Sequence, residues 1–309
     1  MTGHPVQVWW ARLEDARAGL RALLDPVEHA RYEATVDPAG RGRFLVGCAL
    51  SRLILGELLG LPPADVPLRR VCPRCGGPHG KVHLALPPDG PSCTRPAYGF
   101  SITHSGALVG VAVRRGGEVG LDVEESHGDM DVDSAARVAL SAPELAALYA
   151  RPAAERQPAF LRTWTRKEAV LKALGVGLGV PPRELEVSAP DKPPTILTWP
   201  GRLATRPHMS MTDLLVNGVH PAALAVTGVR VAEAGGIGAG QGVTGGVRAG
   251  EDVEAGAGED GEAGAGEGGG GEVGVEEEGS AEAGAGEGKA GGVRVTLHDG
   301  SELLAGYAR

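Results

Sequence analysis

Between residues 232 and 292 the chain is dominated by Gly, Ala and Glu, and this segment cannot contribute to a hydrophobic core. It holds 24 of the 50 glycines and 14 acidic residues against two basic ones, and it contains no aromatic residue. Such a composition buries too little apolar surface to offset the entropy lost on folding. We therefore predict that 232–292 is a disordered, solvated insertion without a specific binding role, and that the core is built from the rest of the chain.

The insertion also masks the charge of the remaining residues. The whole sequence has a formal net charge of −9 and the segment alone carries −12, which leaves +3 on the other residues. A mildly basic body suits an anionic ligand or an acidic partner. A charge of this size is too small to indicate nucleic-acid binding, so we predict no nucleic-acid partner.

Composition also bears on the compartment. Four cysteines in 309 residues do not make a disulfide scaffold, and the first residues lack the basic start and apolar core of a secretory signal. No apolar run approaches the roughly 20 residues that a membrane helix needs. We therefore predict a cytoplasmic protein without a membrane partner.

Two long helices are predicted from apolar periodicity and from the glycines that follow them. Residues 43–59 end before Gly60, and residues 159–174 end before Gly175. Further predicted elements are helices after Asp25, at 133–140 and at 142–150, and strands at 6–10, 99–102, 107–113, 118–124, 196–199, 209–215, 222–227 and 293–297. Because this order contains no run of regular βαβ units, it predicts an α+β fold.

Two acidic residues alternate within the predicted strand at 118–124. Side chains two positions apart point to the same face of a strand, so Asp122 and Glu124 project together. Neighbouring carboxylates repel each other unless a cation or a proton lies between them, and Mg²⁺ prefers such oxygens. Considered alone, this motif is better explained as a solvated acidic strand face.

A second group lies on the helix at 159–174. Trp164, Glu168 and Lys172 are spaced by four residues and therefore share one helix face. The simpler interpretation is a Glu–Lys pair on an exposed helix, but a tryptophan on the same face indicates that the face is partly covered. The motif alone does not decide between the two.

Several residues of the amino-terminal part can bind phosphate. The segment 101–106, Ser-Ile-Thr-His-Ser-Gly, lies between two predicted strands and can present several donors in a tight connection. Arginine binds phosphate bidentately, and four arginines lie at or near the first long helix: Arg31, Arg41, Arg43 and Arg52. In isolation, a structural histidine and surface arginines are the simpler interpretations.

Together and in this order, the motifs resemble those of the 4′-phosphopantetheinyl transferase superfamily, of the surfactin-synthetase-activating type. The matching segments are Arg43-Phe44-Leu45-Val46-Gly47, Gly80-Lys81-Val82, Thr103-His104-Ser105, Gly120-Leu121-Asp122-Val123-Glu124, Trp164-Thr165-Arg166-Lys167-Glu168-Ala169-Val170-Leu171-Lys172 and Gly175-x-Gly177-Leu178. The resemblance spans about residues 5 to 230. The two motifs with acidic residues are the most specific.

The resemblance implies an enzyme, a magnesium-dependent holo-carrier-protein synthase. It would transfer the 4′-phosphopantetheine group of coenzyme A to a serine of an apo acyl or peptidyl carrier protein and release adenosine 3′,5′-bisphosphate. It also implies two similar α/β halves, 1–115 and 116–231, in a pseudo-twofold arrangement with the active site in the cleft between them. We expect a monomer whose residues 293–309 form a last edge strand and tail.

The resemblance also implies residue roles. The magnesium ligands would be Asp122, Glu124 and Glu168. Lys172 would lie on the diphosphate. The serine must lose its proton and a carboxylate beside the metal is the natural acceptor, so we choose Glu168 as the general base, directly or through a metal-bound water molecule. The remaining contacts to coenzyme A would be made by Thr103 and His104 to phosphates, Lys81 and Arg43 to the adenosine-phosphate end, and Arg31 to the 3′-phosphate.

Three departures from the family pattern are Val82 for a proline, Thr103 for a serine, and Cys48 where related chains often have arginine. A zinc site formed by Cys72, Cys75, His79 and Cys93 is an alternative use of the cysteines. Because no second CxxC motif exists, we favour a role of these residues in shaping the turn before Lys81. The rival functions are a non-catalytic coenzyme A or nucleotide-binding module and a small zinc-dependent adaptor.

Overall fold

The computed structural model describes residues 4–71, 76–77, 80–85, 98–126, 130–204, 206–228, 286–290 and 293–307. The candidate zinc ligands Cys72, Cys75, His79 and Cys93 lie outside the described residues, as does the predicted insertion as far as residue 285. None of the helices in the described ranges combines the length and the hydrophobicity needed to cross a membrane.

The described residues form twelve strands and six α-helices. In chain order they are β1 (Val6–Arg12), α1 (Pro26–Ala34), α2 (Pro38–Leu59), β2 (Leu68–Arg70), β3 (Val82–Leu84), β4 (Tyr98–Ser105), β5 (Leu108–Arg115), β6 (Val119–Val123), α3 (Val132–Ala139), α4 (Ala142–Tyr149), α5 (Ala153–Leu174), β7 (Glu186–Val187), β8 (Ile196–Thr198), β9 (Met209–Val216), β10 (His220–Thr227), β11 (Gly286–Ala290), β12 (Val293–Asp299) and α6 (Gly300–Tyr307). This content confirms the predicted α+β class. The near-twofold relation between residues 1–115 and 116–231 stays a prediction.

Two main sheets organise the molecule. A five-stranded sheet has the order β11-β12-β1-β5-β4, and a three-stranded sheet has the order β6-β10-β9. Strand β1 pairs in parallel with β12 and antiparallel with β5, so the carboxyl-terminal part of the chain returns to the amino-terminal sheet. The two sheets therefore come from different parts of the sequence.

The carboxyl terminus differs from the prediction in two ways. Residues 286–290, which we expected to be disordered, form β11 and pair with β12. Strand β12 consequently lies between β11 and β1 and is not an edge strand. The chain then continues as α6 rather than as an irregular tail, with Leu304 buried in the core.

Helix α2 is longer than its apolar stripe predicts. It begins at Pro38 because the Asp37 carboxylate caps it, accepting hydrogen bonds from the N–H groups of Ala39 and Gly40. It ends at Gly60, whose φ of 65° is in the left-handed region that favours glycine. This helix packs its apolar face in the main hydrophobic cluster and positions Arg43 at its first turns.

Arg52 of α2 has a structural role, so neither interpretation considered for it, a phosphate ligand or a surface arginine, is right. Its side chain is 0% exposed, and it donates hydrogen bonds to Glu28 at 2.7 Å and to Asp25 at 2.9 Å. Its remaining donors bind the main-chain carbonyl groups of Pro63, Ala64 and Val66. A guanidinium satisfied in this way fastens α1 and the segment before β2 to α2.

Hydroxyl side chains join the two main sheets where β4 meets β6. Alternate residues of β4, from Ser101 to Ser105, point toward β6, and the hydroxyl oxygen of each accepts a hydrogen bond from a main-chain N–H group. The pairs are Leu121 with Ser101, Val123 with Thr103, and Glu125 with Ser105, at 3.0, 3.2 and 3.0 Å. The segment 101–106 is therefore not a tight connection as predicted, because β4 continues to Ser105.

Helix α5 packs directly on β6 at Gly120. A Cβ atom at this position would lie 1.9 Å from the carbonyl oxygen of Ala169 and 2.4 Å from the amide nitrogen of Ala173. Only glycine permits this approach of the two backbones. The approach determines how close the acidic residues of α5 and β6 come to each other.

Candidate functional site

A cavity of about 790 Å³ lies between the amino-terminal elements and α5. Among the described residues, its lining contains one acidic residue, Glu168, and several basic ones. The basic lining residues are Arg31, Arg43, Arg70, Lys81, His104 and Lys172. Aromatic and aliphatic side chains form another part of the wall: Phe44, Val82, Phe100, Ile102 and Val176. The cavity therefore suits a large anionic ligand that also has an apolar part.

The arginines predicted around α2 separate into two groups. Arg31 and Arg43 line the cavity, with the Arg31 guanidinium 5.2 Å from the ring centre of Phe44. Arg43 donates to the carbonyl oxygen of Gly106 at 3.0 Å. Arg41 does not line the cavity, because it lies over Tyr32 and donates to the Thr35 carbonyl oxygen.

Lys81, in the segment before β3, contacts the carboxyl-terminal end of α5. Its ammonium lies 2.5 Å from a carboxylate oxygen of Glu118 and 3.1 Å from the carbonyl oxygen of Ala173. The side chain lines the cavity, and its ammonium forms an ion pair with Glu118. Its contact with coenzyme A stays a prediction.

Arg70 is a cavity residue that the sequence analysis missed. It lies on β2 and donates to the carbonyl oxygen of Gly80 at 2.9 Å. Burial lowers its pKa, and the nearby Arg31 guanidinium lowers it further. The available signal was the Arg69-Arg70 pair, since adjacent residues of a strand face opposite sides, but which arginine faces the cavity is decided by the fold.

Asp122 is buried at the β4–β6 junction, where it is 5% exposed. Its Oδ1 accepts hydrogen bonds from Lys172 at 2.6 Å and from Thr103 at 3.2 Å. Its Oδ2 is buried without a hydrogen-bond partner in the described part of the chain. Desolvation raises the pKa of this carboxyl, and the Lys172 ammonium opposes that rise.

Glu168 projects from α5 into the cavity. Its Oε1 is also buried and has no hydrogen-bond partner within the described ranges. Burial and the nearby Asp122 carboxylate raise its pKa to about 7, with Lys172 acting in the opposite direction. A carboxyl with this pKa is able to accept a proton near neutral pH.

Glu124 follows β6 and both of its carboxylate oxygens have donors. Oε2 accepts from the Ser105 hydroxyl at 2.8 Å, and Oε1 accepts from the Trp164 indole N–H at 2.9 Å. Burial raises its pKa, and the Asp122 carboxylate raises it further. The spacing of Trp164, Glu168 and Lys172 thus directs all three toward the acidic residues of β6, as a shared helix face predicts.

Lys172 is held by three acceptors. Its ammonium donates to Asp122 Oδ1 at 2.6 Å, to the Thr103 hydroxyl at 3.1 Å and to the Leu121 carbonyl oxygen at 3.2 Å. An ammonium has three N–H donors, so all of them are used within the protein. A contact of Lys172 with an anion in the cavity requires that it exchange one of these acceptors.

Residues 103 and 104 face opposite sides of β4. Thr103 is 2% exposed and does not line the cavity, so the predicted phosphate contact is not available to it in this structure. His104 lines the cavity. Desolvation lowers the pKa of its imidazole, and the charges of Lys172, Arg43 and Arg31 add to the effect. His104 is therefore mainly neutral at pH 7 and able to donate one hydrogen bond.

The cysteine that replaces an arginine of the family pattern also lies on the cavity wall. Cys48 is 2% exposed and lines the cavity beside Gly47. Burial raises the pKa of its thiol, so the group is a neutral part of the wall.

The described residues contain no group of three or more His, Cys, Asp and Glu side chains arranged to hold a metal ion. A smaller donor set is present. Within the described residues, Asp122 Oδ2 and Glu168 Oε1 are buried oxygens without hydrogen-bond partners, and the Asp122 carboxylate helps to raise the pKa of Glu168. A hard cation supplied with further oxygens by a ligand or by water would satisfy both. The two carboxylates therefore fit magnesium, and they supply part of the oxygen ligands that it needs.

The chain is similar to known transferases. Residues 118–225 match the family described as the 4′-phosphopantetheinyl transferase superfamily. The 4′-phosphopantetheinyl transferase HetI of Nostoc sp. is 30% identical over 224 residues, which cover 72% of this chain and 87% of that protein. A phosphopantetheinyl transferase of Thraustochytrium sp. is 28% identical over 181 residues, 55% of this chain and 59% of the relative. A putative 4′-phosphopantetheinyl transferase of Synechocystis sp. is 29% identical over 162 residues, 52% and 60% respectively.

Proposed function

The chain belongs to the 4′-phosphopantetheinyl transferase superfamily, and we propose that it transfers the 4′-phosphopantetheine group of coenzyme A to a serine of an apo acyl or peptidyl carrier protein. The second product is adenosine 3′,5′-bisphosphate, and the enzyme is of the surfactin-synthetase-activating type. The observation that carries the proposal is the cavity with several basic residues and the acidic Glu168 along its lining. We further propose that it acts as a monomer in the cytoplasm.

Coenzyme A has three phosphate groups, and the basic lining of the cavity is suited to them. Arg31 binds the 3′-phosphate, with Arg43 and Lys81 at the adenosine end. His104 and Lys172 bind the diphosphate, which lies nearest to Glu168. The apolar wall around Phe44 and Phe100 receives the uncharged parts of the ligand.

The reaction is a displacement at the β-phosphorus. The serine oxygen forms a bond to this phosphorus, and the phosphorus–oxygen bond to the adenosine bisphosphate breaks. Glu168 takes the serine proton, since its pKa of about 7 leaves a sufficient fraction ionised at neutral pH. The Lys172 ammonium stabilises the charge that develops on the leaving phosphate. Both roles are assigned because Glu168 and Lys172 lie on α5 and line the cavity.

Magnesium is the implied cofactor, and the proposed ligands are Asp122, Glu124 and Glu168. Asp122 and Glu168 each have a buried oxygen without a donor, whereas the oxygens of Glu124 are held by Ser105 and Trp164. When bound, the cation would neutralise the diphosphate and polarise its oxygens. Ser105 and Trp164 keep the Glu124 carboxylate in a fixed orientation beside the other two.

The test is the intact mass of an apo carrier protein after incubation with this chain, coenzyme A and magnesium. We expect a mass increase of one phosphopantetheine group and an equal amount of adenosine 3′,5′-bisphosphate. A carrier with its serine replaced by alanine and a sample with a chelator are the controls, and neither should gain mass. Binding of coenzyme A without any mass gain on several carriers would contradict the proposal and identify a binding module.

A further inference from the structure

We propose that Thr103 is a positioning residue for Lys172 and Asp122, and that it acts through its hydroxyl group without touching coenzyme A. The inference rests on the proposed function for its effect on catalysis, and on the geometry alone for the placement of Lys172. It assigns to Thr103 a role different from the phosphate contact that the motif implies.

The hydroxyl of Thr103 connects three groups at the junction of the two main sheets. It donates to Asp122 Oδ1 at 3.2 Å, accepts from the Lys172 ammonium at 3.1 Å, and accepts from the main-chain N–H of Val123 at 3.2 Å. A threonine hydroxyl has one donor and two lone pairs. These three bonds use its whole capacity, so no donor remains for a phosphate.

The arrangement defines the position of a flexible side chain. Lys172 has four rotatable carbon–carbon bonds, whereas a β-branched threonine in a strand is restricted in its χ1 angle. The hydrogen bond from the Val123 N–H group fixes the Thr103 hydroxyl against the β6 backbone. The two bonded atoms belong to adjoining sheets. The Lys172 ammonium is thereby held on the side of Asp122 that leaves Oδ2 and Glu168 Oε1 without hydrogen-bond donors.

Loss of the hydroxyl changes two sites together. In Thr103→Val, the methyl group that replaces the oxygen cannot accept from Lys172 or donate to Asp122. Lys172 then retains the Leu121 carbonyl oxygen and Asp122, and its ammonium samples more orientations. Transition-state stabilisation by Lys172 weakens, while the other side chains that bind coenzyme A keep their places because Thr103 does not line the cavity.

The experiment compares Thr103→Val and Thr103→Ser with a matched control, Thr163→Val. Thr163 is buried on α5, and its hydroxyl donates only to the Ala159 carbonyl oxygen at 3.0 Å. For Thr103→Val we expect kcat to fall about tenfold and the KM for coenzyme A to change less than about twofold. Thr103→Ser should restore most of kcat, and Thr163→Val should change neither value.

A second measurement does not depend on transfer. The rate at which acetic anhydride acylates Lys172 is measured by peptide mass spectrometry, with the exposed Lys192 of the same digest as reference. Thr103→Val should raise the Lys172 rate at least about threefold, because the side chain is held by one acceptor fewer and reaches the reagent more readily. Thr103→Ser and Thr163→Val should match the unaltered protein. If Thr103→Val does not fold, Thr103→Cys, a weak hydrogen-bonding group, takes its place with the same expectation.

The outcomes distinguish failure of the positioning role of Thr103 from failure of the proposed function. An unchanged Lys172 acylation rate and an unchanged kcat in Thr103→Val would overturn the positioning role, as would an equal loss in Thr163→Val. A rise in the KM for coenzyme A with kcat unchanged would also overturn it, because that result indicates a direct contact. If the unaltered protein transfers nothing to any carrier, the proposed function fails, and the acylation measurement still tests Thr103.

Discussion

The ammonium of Lys172 lies 2.6 Å from Oδ1 of Asp122, although the two residues belong to different elements and are 50 positions apart in the sequence. In the part of the chain that the structure describes, this leaves Asp122 Oδ2 and Glu168 Oε1 as buried oxygens without hydrogen-bond donors. The Lys172 ammonium therefore pairs with the Asp122 carboxylate at Oδ1 and not at Oδ2. A cation on the other side would complete the balance, and the predictions below follow from this arrangement.

Replacement of Glu168 by glutamine should separate catalysis from binding. Glu168→Gln retains the size of the side chain but cannot accept the serine proton, so transfer should fall by at least about 100-fold. The affinity for coenzyme A, measured by calorimetry without divalent ions, should remain within about threefold because the basic lining is intact. Glu155→Gln, on an exposed position of the same helix, is the control and should be fully active. Full activity of Glu168→Gln would refute the general-base role.

The raised pKa of Glu168 also predicts how stability depends on pH. Its pKa rises to about 7 from an ordinary value of 4.5. A carboxyl with a higher pKa in the folded state adds stability that is present below its unfolded pKa and lost as the pH rises through the folded value. Without divalent ions, the melting temperature of the unaltered protein should therefore fall relative to that of Glu168→Gln between about pH 5 and about pH 8. A constant difference over this range, or one of opposite sign, would contradict the assignment.

Arg70 should contribute to the binding of the anionic ligand. It lines the cavity, and its charge lies near that of Arg31. Arg70→Ala should weaken coenzyme A binding about tenfold and reduce the dependence of binding on salt. Arg69→Ala is a matched control, because Arg69 is its neighbour on β2, is mostly exposed and does not line the cavity. Equal effects of the two substitutions would show a nonspecific charge effect instead.

Gly120 should be required for the close packing of α5 on β6. A Cβ atom there would overlap the main chain of Ala169, and neither backbone can move without displacing the acidic residues. Gly120→Ala should lower the free energy of unfolding by about 3 kcal/mol or more, measured by denaturant titration. Gly201→Ala is the control, because its Cβ would meet no atom within 4 Å. A Gly120→Ala protein as stable as the control would show that the approach is not needed.

The parts of the fold that the sequence predicted are those governed by local signals. Helices α2 and α5 were found from apolar periodicity and from the glycines that end them, Gly60 and Gly175. Strand alternation and a spacing of four residues each define a face, but the meeting of Asp122 and Glu124 with Glu168 was implied only by the family resemblance.

What the sequence did not predict depends on distant contacts. The pairing of β1 with β12 joins the two ends of the chain, and the strand character of 286–290 arises only from pairing with β12. The burial of Arg52 depends on Asp25 and Glu28, which lie 27 and 24 positions away. The complete use of the Thr103 hydroxyl depends on residues of β6 and α5. No local pattern contains these partners.

The most direct test of the account is the binding of one Mn²⁺ ion, used as a spectroscopic substitute for magnesium and measured by electron paramagnetic resonance with coenzyme A present. We expect one Mn²⁺ site per chain, with affinity reduced at least about tenfold in Asp122→Asn and in Glu168→Gln. Binding at unaltered affinity in both variants, or no Mn²⁺ site in the unaltered protein, would contradict it.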